Sequence, residues 1–314
     1  MPTTNSLTTS YAGEFAGQYI SAALLSGNTL SQGAVSIKPN IKFKETIKTL
    51  STDDVIKDAS CDFDPTSTLT IGERILQPTE QQVNLQLCKA DFRSDWEAIQ
   101  MGFSAHDNLP SSFSDYLIGY VASKVAEKTE ENIWRGAAAN NGEFDGFTTA
   151  LAADSDVVDV SGTTVTSANV VTELGKIVDA IPSAVYGKED MRIYISQNIA
   201  RAYVRALGGF AALGNTNTYN NNAGVGDQGT MWYSMGQDLA FDGVKLFVAN
   251  GLADNKAVAA QSSNLYFGTG LLSDHNEVKV IDMADIDGSQ NVRIVMRFTA
   301  GVLHGIGSDI VLYS

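Results

Sequence analysis

The sequence has 314 residues, 44% hydrophobic and 18% charged, a composition that excludes a disordered chain and allows one large domain or two interleaved lobes. Its 21 basic and 36 acidic residues leave a net charge of −15, which repels nucleic acid and excludes the basic footprint of a phosphate-gripping protein. Only Cys61 and Cys88 are present, too few for a disulfide framework or a zinc site, so a reducing cytosol is the expected compartment.

The opening "MPTTNSLTTSYAGEF" lacks the basic n-region and continuous apolar core of a signal peptide. No apolar run approaches the ~18 residues of a membrane span. Residues 1–35 are rich in Ser, Thr, Gly and Ala and read as an extended arm with one short helix around Phe15–Leu25. From Ile41 the period changes to two. Ile41, Phe43, Glu45 and Ile47 alternate with Lys42, Lys44, Thr46 and Lys48, which predicts a half-buried strand with one basic face. "DVIKDASC", "STLTIGERILQ" and "QVNLQLCKADF" follow as further strands, with Cys61 and Cys88 in strand-like contexts. Residues 41–92 therefore read as a long antiparallel hairpin or small sheet that projects.

A long helix is expected from Pro110 to residue 137. Ser112 is its expected N-cap and Asp115 closes a capping box. Phe113, Tyr116, Leu117, Tyr120, Val121, Val125, Ile133 and Trp134 recur at helical spacing, and "KVAEKTEEN" supplies the charged face. A second helix runs from Ser167 to Ile181 and stops at Pro182, with Val170, Val171, Leu174, Ile177 and Val178 on its apolar face. "MRIYIS" is a buried strand, and Ser196 caps a third helix, "QNIARAYVRAL". Residues 213–227 are Asn- and Gly-rich and read as a loop. Strands resume at "GVKLFVA", "NLYFGTG", "EVKVIDM", "NVRIVMRF" and "SDIVLY".

Few residues point to chemistry. "RGAAANNGEFDGF", Arg135 to Phe147, has the glycines of a phosphate or calcium loop but neither spacing; no lysine follows Gly146. "DMADIDGSQN", with Asp282, Asp285 and Asp287, reads as a turn between strands. His106, His275 and His304 lack ligand-spaced partners and read as surface or packing residues. Asp53–Asp54 and Glu130–Glu131 read as solvated faces. No G-x-S-x-G elbow is present, and the residues argue against an enzyme. The basic strand face is either a ribbon aimed at an acidic neighbour or a lysine-protected edge.

In this order, the arm, long hairpin, capped spine helix ending in "NIWRGAAANNGEFDGFTTAL", "MRIYISQNIARAYVRAL", "FDGVKLFVANGL" and the closing "NLYFGTG…NVRIVMRF…SDIVLY" resemble a tailed-phage major capsid protein of the Hong Kong 97-like fold. The resemblance covers nearly the whole chain as an order of elements. It implies an α+β fold with an amino-terminal arm (1–37), an extended hairpin or E-loop (38–90), a peripheral domain (91–150 and 272–299, with a spine helix 112–137) and an axial domain (151–271 and 300–314). It makes "NNGEFDGF" the corner between lobes, with Gly142 and Gly146 permitting the turn and Phe144 and Phe147 pinning it. Lys42, Lys44, Lys48, Glu73 and Arg74 become candidate assembly-interface residues, and the loop at 213–227 is placed at capsomer centres. The implied function is self-assembly through hexamers and pentamers into an icosahedral shell enclosing double-stranded DNA, with portal and scaffold proteins as partners and no cofactor. A separate scaffold, or none, is expected over a self-encoded one. The implied location is the virion, after synthesis in the host bacterial cytoplasm. An encapsulin-type shell around protein cargo, or a phage tail or surface-binding protein, are the alternatives.

Overall fold

Apolar residues at every second position of "NVRIVMRF" build the strand on which one sheet is organised. In the computed structural model this strand, β12 (Asn291–His304), buries Val292, Ile294, Met296, Phe298 and Ala300 on one face and exposes Arg293 and Arg297 on the other. It runs past the sequence motif to His304. The structure describes residues 28–52, 55–59, 61, 67–88, 111–206, 239–270 and 279–314. The expected helix at 15–25, Asp53, Asp54, His106, His275 and the loop at 213–227 lie outside them.

Strand β12 pairs antiparallel with β4 (Thr79–Cys88), β10 (Leu265–Gly268) and β11 (Lys279–Asp282), and β1 (Ser36–Lys38) adds parallel to β10. These five strands form one sheet. A second sheet has six strands in the order β5 (Val158–Val160), β13 (Val311–Tyr313), β9 (Ala257–Gln261), β6 (Met191–Ile195), β8 (Val244–Val248) and β7 (Leu239–Phe241). Its central strand β6 is buried on both faces. Ile193 and Ile195 face one core while Tyr194 faces another, which is why "MRIYI" reads as a continuous apolar run. A separate two-stranded ribbon pairs β2 (Glu45–Thr52) with β3 (Leu69–Leu76).

Helices cover these sheets. α1 (Asn28–Ser31) precedes β1; α2 (Ser111–Arg135) is the long helix, 25 residues and roughly 37 Å at 1.5 Å per residue. α3 (Phe147–Ala152), α4 (Val170–Ala180), α5 (Gln197–Val204) and the short α6 (Ala284–Asp287) follow. One core joins Ile133 and Trp134 of α2 to Phe144, Phe147, Leu151, Tyr194, Phe247, Phe267, Met296 and Leu312. The other packs Val170, Leu174, Ile177 and Val178 of α4 and Ile199 of α5 on the opposite face of the six-stranded sheet. The chain is mixed α+β, and the two cores share that sheet.

Several expectations are corrected. The strand begun at Ile41 starts at Glu45: Ile41 is buried before it, held by its amide on the Thr269 carbonyl at 3.1 Å, and Phe43 is exposed. Residues 55–59 carry no strand, and Cys61 lies in an exposed bend. β4 leaves the ribbon and pairs with β12 over its whole length, because Val83, Leu85 and Leu87 sit opposite Met296, Ile294 and Val292. Ser112 falls inside the first turn of α2, and the helix ends at Arg135. Val171 is exposed; Glu173 takes its place on the buried face of α4, where its Oε2 accepts from the Tyr313 hydroxyl at 2.8 Å. Ser196 is the N-cap residue of α5, but Asn198 Oδ1 accepts the Ile199 amide at 2.9 Å. The "DMADIDG" turn contains α6 and ends at Gly288 with φ +73°. β1, β5, β7 and β9 carry no period the sequence announces: three are three residues long, and β9 is "AVAAQ".

Candidate functional site

Two places collect the residues singled out in the sequence. The first is the turn after α2. Gly136 and Gly146 cross at backbone contact, with the Gly146 amide on the Gly136 carbonyl at 2.9 Å. A Cβ on Gly146 would lie 2.5 Å from the Asn132 carbonyl oxygen and 2.7 Å from the Gly136 nitrogen. Gly142 has φ +77°, where a side chain is disfavoured. Phe144 and Phe147 are buried, and Phe147 lies 5.5 Å from the Trp134 ring centre to centre.

Side chains then brace the turn. Thr148 and Thr149 hydroxyls donate to the Trp134 and Gly136 carbonyls at 2.6 and 2.8 Å, and the Asn132 amide donates to the Gly142 carbonyl at 3.1 Å. Glu143 accepts Lys128 at 2.6 Å, Asn140 at 3.0 Å and the Ala137 amide at 3.1 Å. These donors, Lys128 first, pull its carboxyl down to about 2. These side chains are occupied in holding the backbone, while Asn132 Oδ1 is buried without a hydrogen-bond partner among the described residues. Among the described residues no group of His, Cys, Asp or Glu is placed to hold a metal ion, and no helix is long and apolar enough to cross a membrane.

The second place is the β2–β3 ribbon. Its register sets Lys48 opposite Glu73, Leu50 opposite Ile71, Thr46 opposite Ile75 and Thr52 opposite Leu69. Opposed residues share a face, so this face carries Leu50 and Ile71, 62% and 61% exposed, beside the exposed Leu69 and Ile75. Lys42 and Lys44 stand exposed in the bends before β2, outside the ladder, so the basic face expected along 42–48 reduces to Lys48 within it. Arg74 points the other way. Its Nη2 donates to Asp154 Oδ2 at 2.6 Å and its Nη1 lies 2.8 Å from His304 Nε2, which itself lies 2.7 Å from Asp154 Oδ2. Arg74 is thus tied within the chain, and His304 is a buried member of a charged cluster.

The base of the ribbon rests on a flat place. Gly268 and Gly301 are register partners on β10 and β12. A Cβ on Gly268 would meet Leu76 at 2.9 Å and Ile41 at 3.0 Å; one on Gly301 would meet Pro78 Cα at 3.0 Å. The two glycines let the ribbon's root lie on the sheet, and a strand pattern alone does not announce such a seat.

A third cluster has no counterpart in the sequence reading. Glu130, expected on a solvated face, is 2% exposed. Its Oε2 accepts the Thr29 amide at 3.2 Å and its Oε1 the Thr29 hydroxyl, which in turn accepts the Trp134 indole N–H at 2.8 Å. Asn28 of the same short helix donates to the Val248 carbonyl at 2.6 Å. α1 is thereby fastened to α2 and to the end of β8. Burial pushes the Glu130 carboxyl above its ordinary range, against the pull of Thr29. Glu130 stands beside Glu131, which stays on the outer face with Arg135 at 2.5 Å; only the burial of Thr129, Asn132 and Trp134 around it tells them apart.

No protein-family model and no curated protein matches the chain. Solved structures do. A chain of Gordonia phage Cozz matches with TM-score 0.60 at 12% identity over 95% of this chain and 89% of that one. The capsid of a native GTA particle matches with TM-score 0.60 at 11% identity, over 95% and 93%. The capsid of Myoviridae phage XM1 matches with TM-score 0.56 at 11% identity, over 94% of both chains. At such identities the likeness establishes the fold, and the fold is that of phage capsid chains.

Proposed function

We propose that the chain is a structural shell subunit, the major capsid protein of a tailed phage, which assembles through hexamers and pentamers into an icosahedral container for double-stranded DNA. The observation that carries this is a likeness spanning nearly the whole chain and nearly the whole of each matched capsid chain, with no large domain left over on either side. On this reading the function is tiling and not catalysis, in keeping with a turn after α2 in which Thr148, Thr149 and Glu143 hold the chain's own backbone.

The Hong Kong 97-like parts then fall as follows. Residues 1–37 are the arm, rooted by α1 on Glu130. Residues 38–90 are the E-loop region, of which the ribbon β2–β3 is the projecting part and β4 the return into the sheet. The peripheral domain takes 91–150 and 272–299 around α2, and the axial domain takes 151–271 and 300–314. Gly142, Phe144, Gly146 and Phe147 form the corner between them. A two-stranded ribbon is marginal alone, and its exposed Leu50, Leu69, Ile71 and Ile75 gain by burial on a neighbouring copy, with Lys42, Lys44, Lys48 and Glu73 setting register by charge. Arg74 serves the subunit's own body. Portal and scaffold proteins are the further partners, the virion is the destination, and the host cytoplasm is the site of synthesis.

Negative-stain electron microscopy with light scattering on the purified protein tests the proposal. Closed particles of uniform diameter are expected, and particles from infected cells should hold nuclease-protected DNA. Protein cargo in place of DNA would move the reading to an encapsulin-type shell, and rings, tubes or trimers would move it to a tail protein.

A further inference from the structure

We propose that Arg74, Asp154 and His304 form an acid-released latch that ties the root of the β2–β3 ribbon to the body of the subunit. Three elements distant in sequence meet here: Arg74 from β3, Asp154 from the turn after α3 and His304 from the end of β12. His304 is 3% exposed, and its Nδ1 is buried without a hydrogen-bond partner among the described residues. Its Nε2 faces a cation and an anion at once, Arg74 Nη1 at 2.8 Å and Asp154 Oδ2 at 2.7 Å.

The neutral ring is tolerated in this setting and the charged ring is not. Neutral imidazole has one N–H and one lone pair; with the N–H on Nε2 it donates to Asp154 Oδ2, the oxygen that also accepts from Arg74 Nη2, and the lone pair is left buried on Nδ1. Protonation adds its hydrogen at Nδ1, where no acceptor stands among the described residues, and sets a second positive charge 2.8 Å from the Arg74 guanidinium. The added charge therefore works directly against Arg74 in its seat.

The surroundings offer no relief. Among the described residues, the charged groups facing the ring are Arg74 from β3 and Asp154 from the α3 turn. Asp154 Oδ1 is occupied by the Asp156 amide at 3.0 Å. On β10 the residue opposite His304 is Leu265, which is apolar, and on the following turn Gly305 and Gly307 bring backbone only. Burial pushes the ring below the ordinary imidazole range, Asp154 pulls it back and Arg74 adds to the push. Asp154 is held well below the carboxylate range by His304 first, then by the Asp156 amide and Arg74, so it stays charged while the histidine titrates. A base depressed in the folded state contributes stability that is present above its unfolded value and lost as pH falls through the folded one. The latch thus holds at neutral pH and weakens below pH ~6.5.

Hydrogen exchange on the full-length chain reads the latch directly, because the chain entering the ribbon's root is joined to the residues just after β10 by amides of its own. The Asn40 amide donates to the Gly270 carbonyl at 2.6 Å and the Ile41 amide to the Thr269 carbonyl at 3.1 Å. Between about pH 7.5 and about pH 5, protection at Asn40 and Ile41, corrected for intrinsic rates, should fall up to about tenfold for each unit below pH ~6.5. Protection in β6 should not change. His304→Gln should remove the pH dependence, and Arg74→Gln should lower protection already at neutral pH and show no further steepening. Unchanged protection at Asn40 and Ile41 in the wild-type chain overturns the latch, as does a His304→Gln chain with the wild-type slope. The wild-type series and Arg74→Gln decide the matter even where His304→Gln fails to fold. The latch belongs to the single folded chain, so its failure leaves the shell reading untouched, and the reverse holds too.

Discussion

Gly142 and Gly146 lie four residues apart in one turn and are glycine for different reasons. Gly142 is set by its own backbone, at φ +77°, with open space where a Cβ would go. Gly146 has an ordinary extended backbone but no room, since a Cβ would press on the backbone of Asn132, Trp134 and Gly136. Strain at one left-handed position costs about 1 kcal/mol. A methyl forced against backbone that cannot rotate away belongs at the upper end of overpacking, about 3 kcal/mol. Urea midpoints should therefore place Gly146→Ala well below Gly142→Ala, and the reverse order would refute the close crossing at Gly136. Glu130 gives a second test at this scale. A carboxyl raised in the folded state contributes stability that is fully present below its ordinary value of 4.5 and is lost as pH rises through the folded one. The urea midpoint of the wild type relative to Glu130→Gln should therefore decline as pH rises above about 4.5. A constant gap would mean the carboxyl is not held dry by Thr29 and Trp134. This trend runs opposite to that of His304, so acid tightens the root of α1 while it loosens the root of the ribbon.

Among the elements, the β2–β3 ribbon stands apart because its ladder pairs only β2 with β3, and among the described residues its ties to the body lie at one end, at Ile41, Arg74 and Leu76. Thr49 and Gly72 are register partners, so residues 50–71 can be replaced by a two-residue Asn-Gly turn without moving the root. The shortened chain should keep the wild-type unfolding midpoint, because the described residues it removes, Leu50, Leu69 and Ile71 among them, are exposed, and on the proposed function it should no longer close shells. Normal shells from it would refute the ribbon's proposed role in assembly, and loss of folding would refute its independence. Most of this layout was legible as period. "NVRIVMRF" announced β12, and the spacing of Val121, Val125, Ile133 and Trp134 announced α2. Partnership was not legible, because period says which face is buried and not against what. Val83, Leu85 and Leu87 read as the last strand of a hairpin or small sheet and form a ladder with β12, about 200 residues away in sequence. In the same way Arg74 read as part of an exposed basic face. Its partners, Asp154 and His304, carry no spacing signal because they meet only through the fold, and the flat seat at Gly268 and Gly301 is equally silent.

At the scale of the whole molecule, charge is the term that a shell subunit of the proposed kind must manage. Each copy carries −15, so copies brought edge to edge repel one another over the Debye length, about 10 Å at 0.1 M salt. Opposing this are Lys42, Lys44 and Lys48 at the ribbon's root, a small set of positive charges that would attract an acidic neighbour at short range. The two effects respond to salt with opposite sign, so a titration separates them. Net repulsion acts between exposed charges across the full contact and is screened efficiently, whereas the apolar face of Leu50, Ile71 and Ile75 is indifferent to ionic strength at these levels. Repulsion should therefore dominate, and the protein concentration at which closed particles first appear in light scattering should fall as salt rises from about 50 to about 300 mM. Substituting Lys42 and Lys44 with Gln should leave that trend in place and shift the threshold only slightly, as expected of exposed pairs worth under about 1 kcal/mol. A threshold that climbs with salt, and stops climbing once those lysines are gone, would instead make charge pairing at the ribbon's root the force that joins one copy to the next.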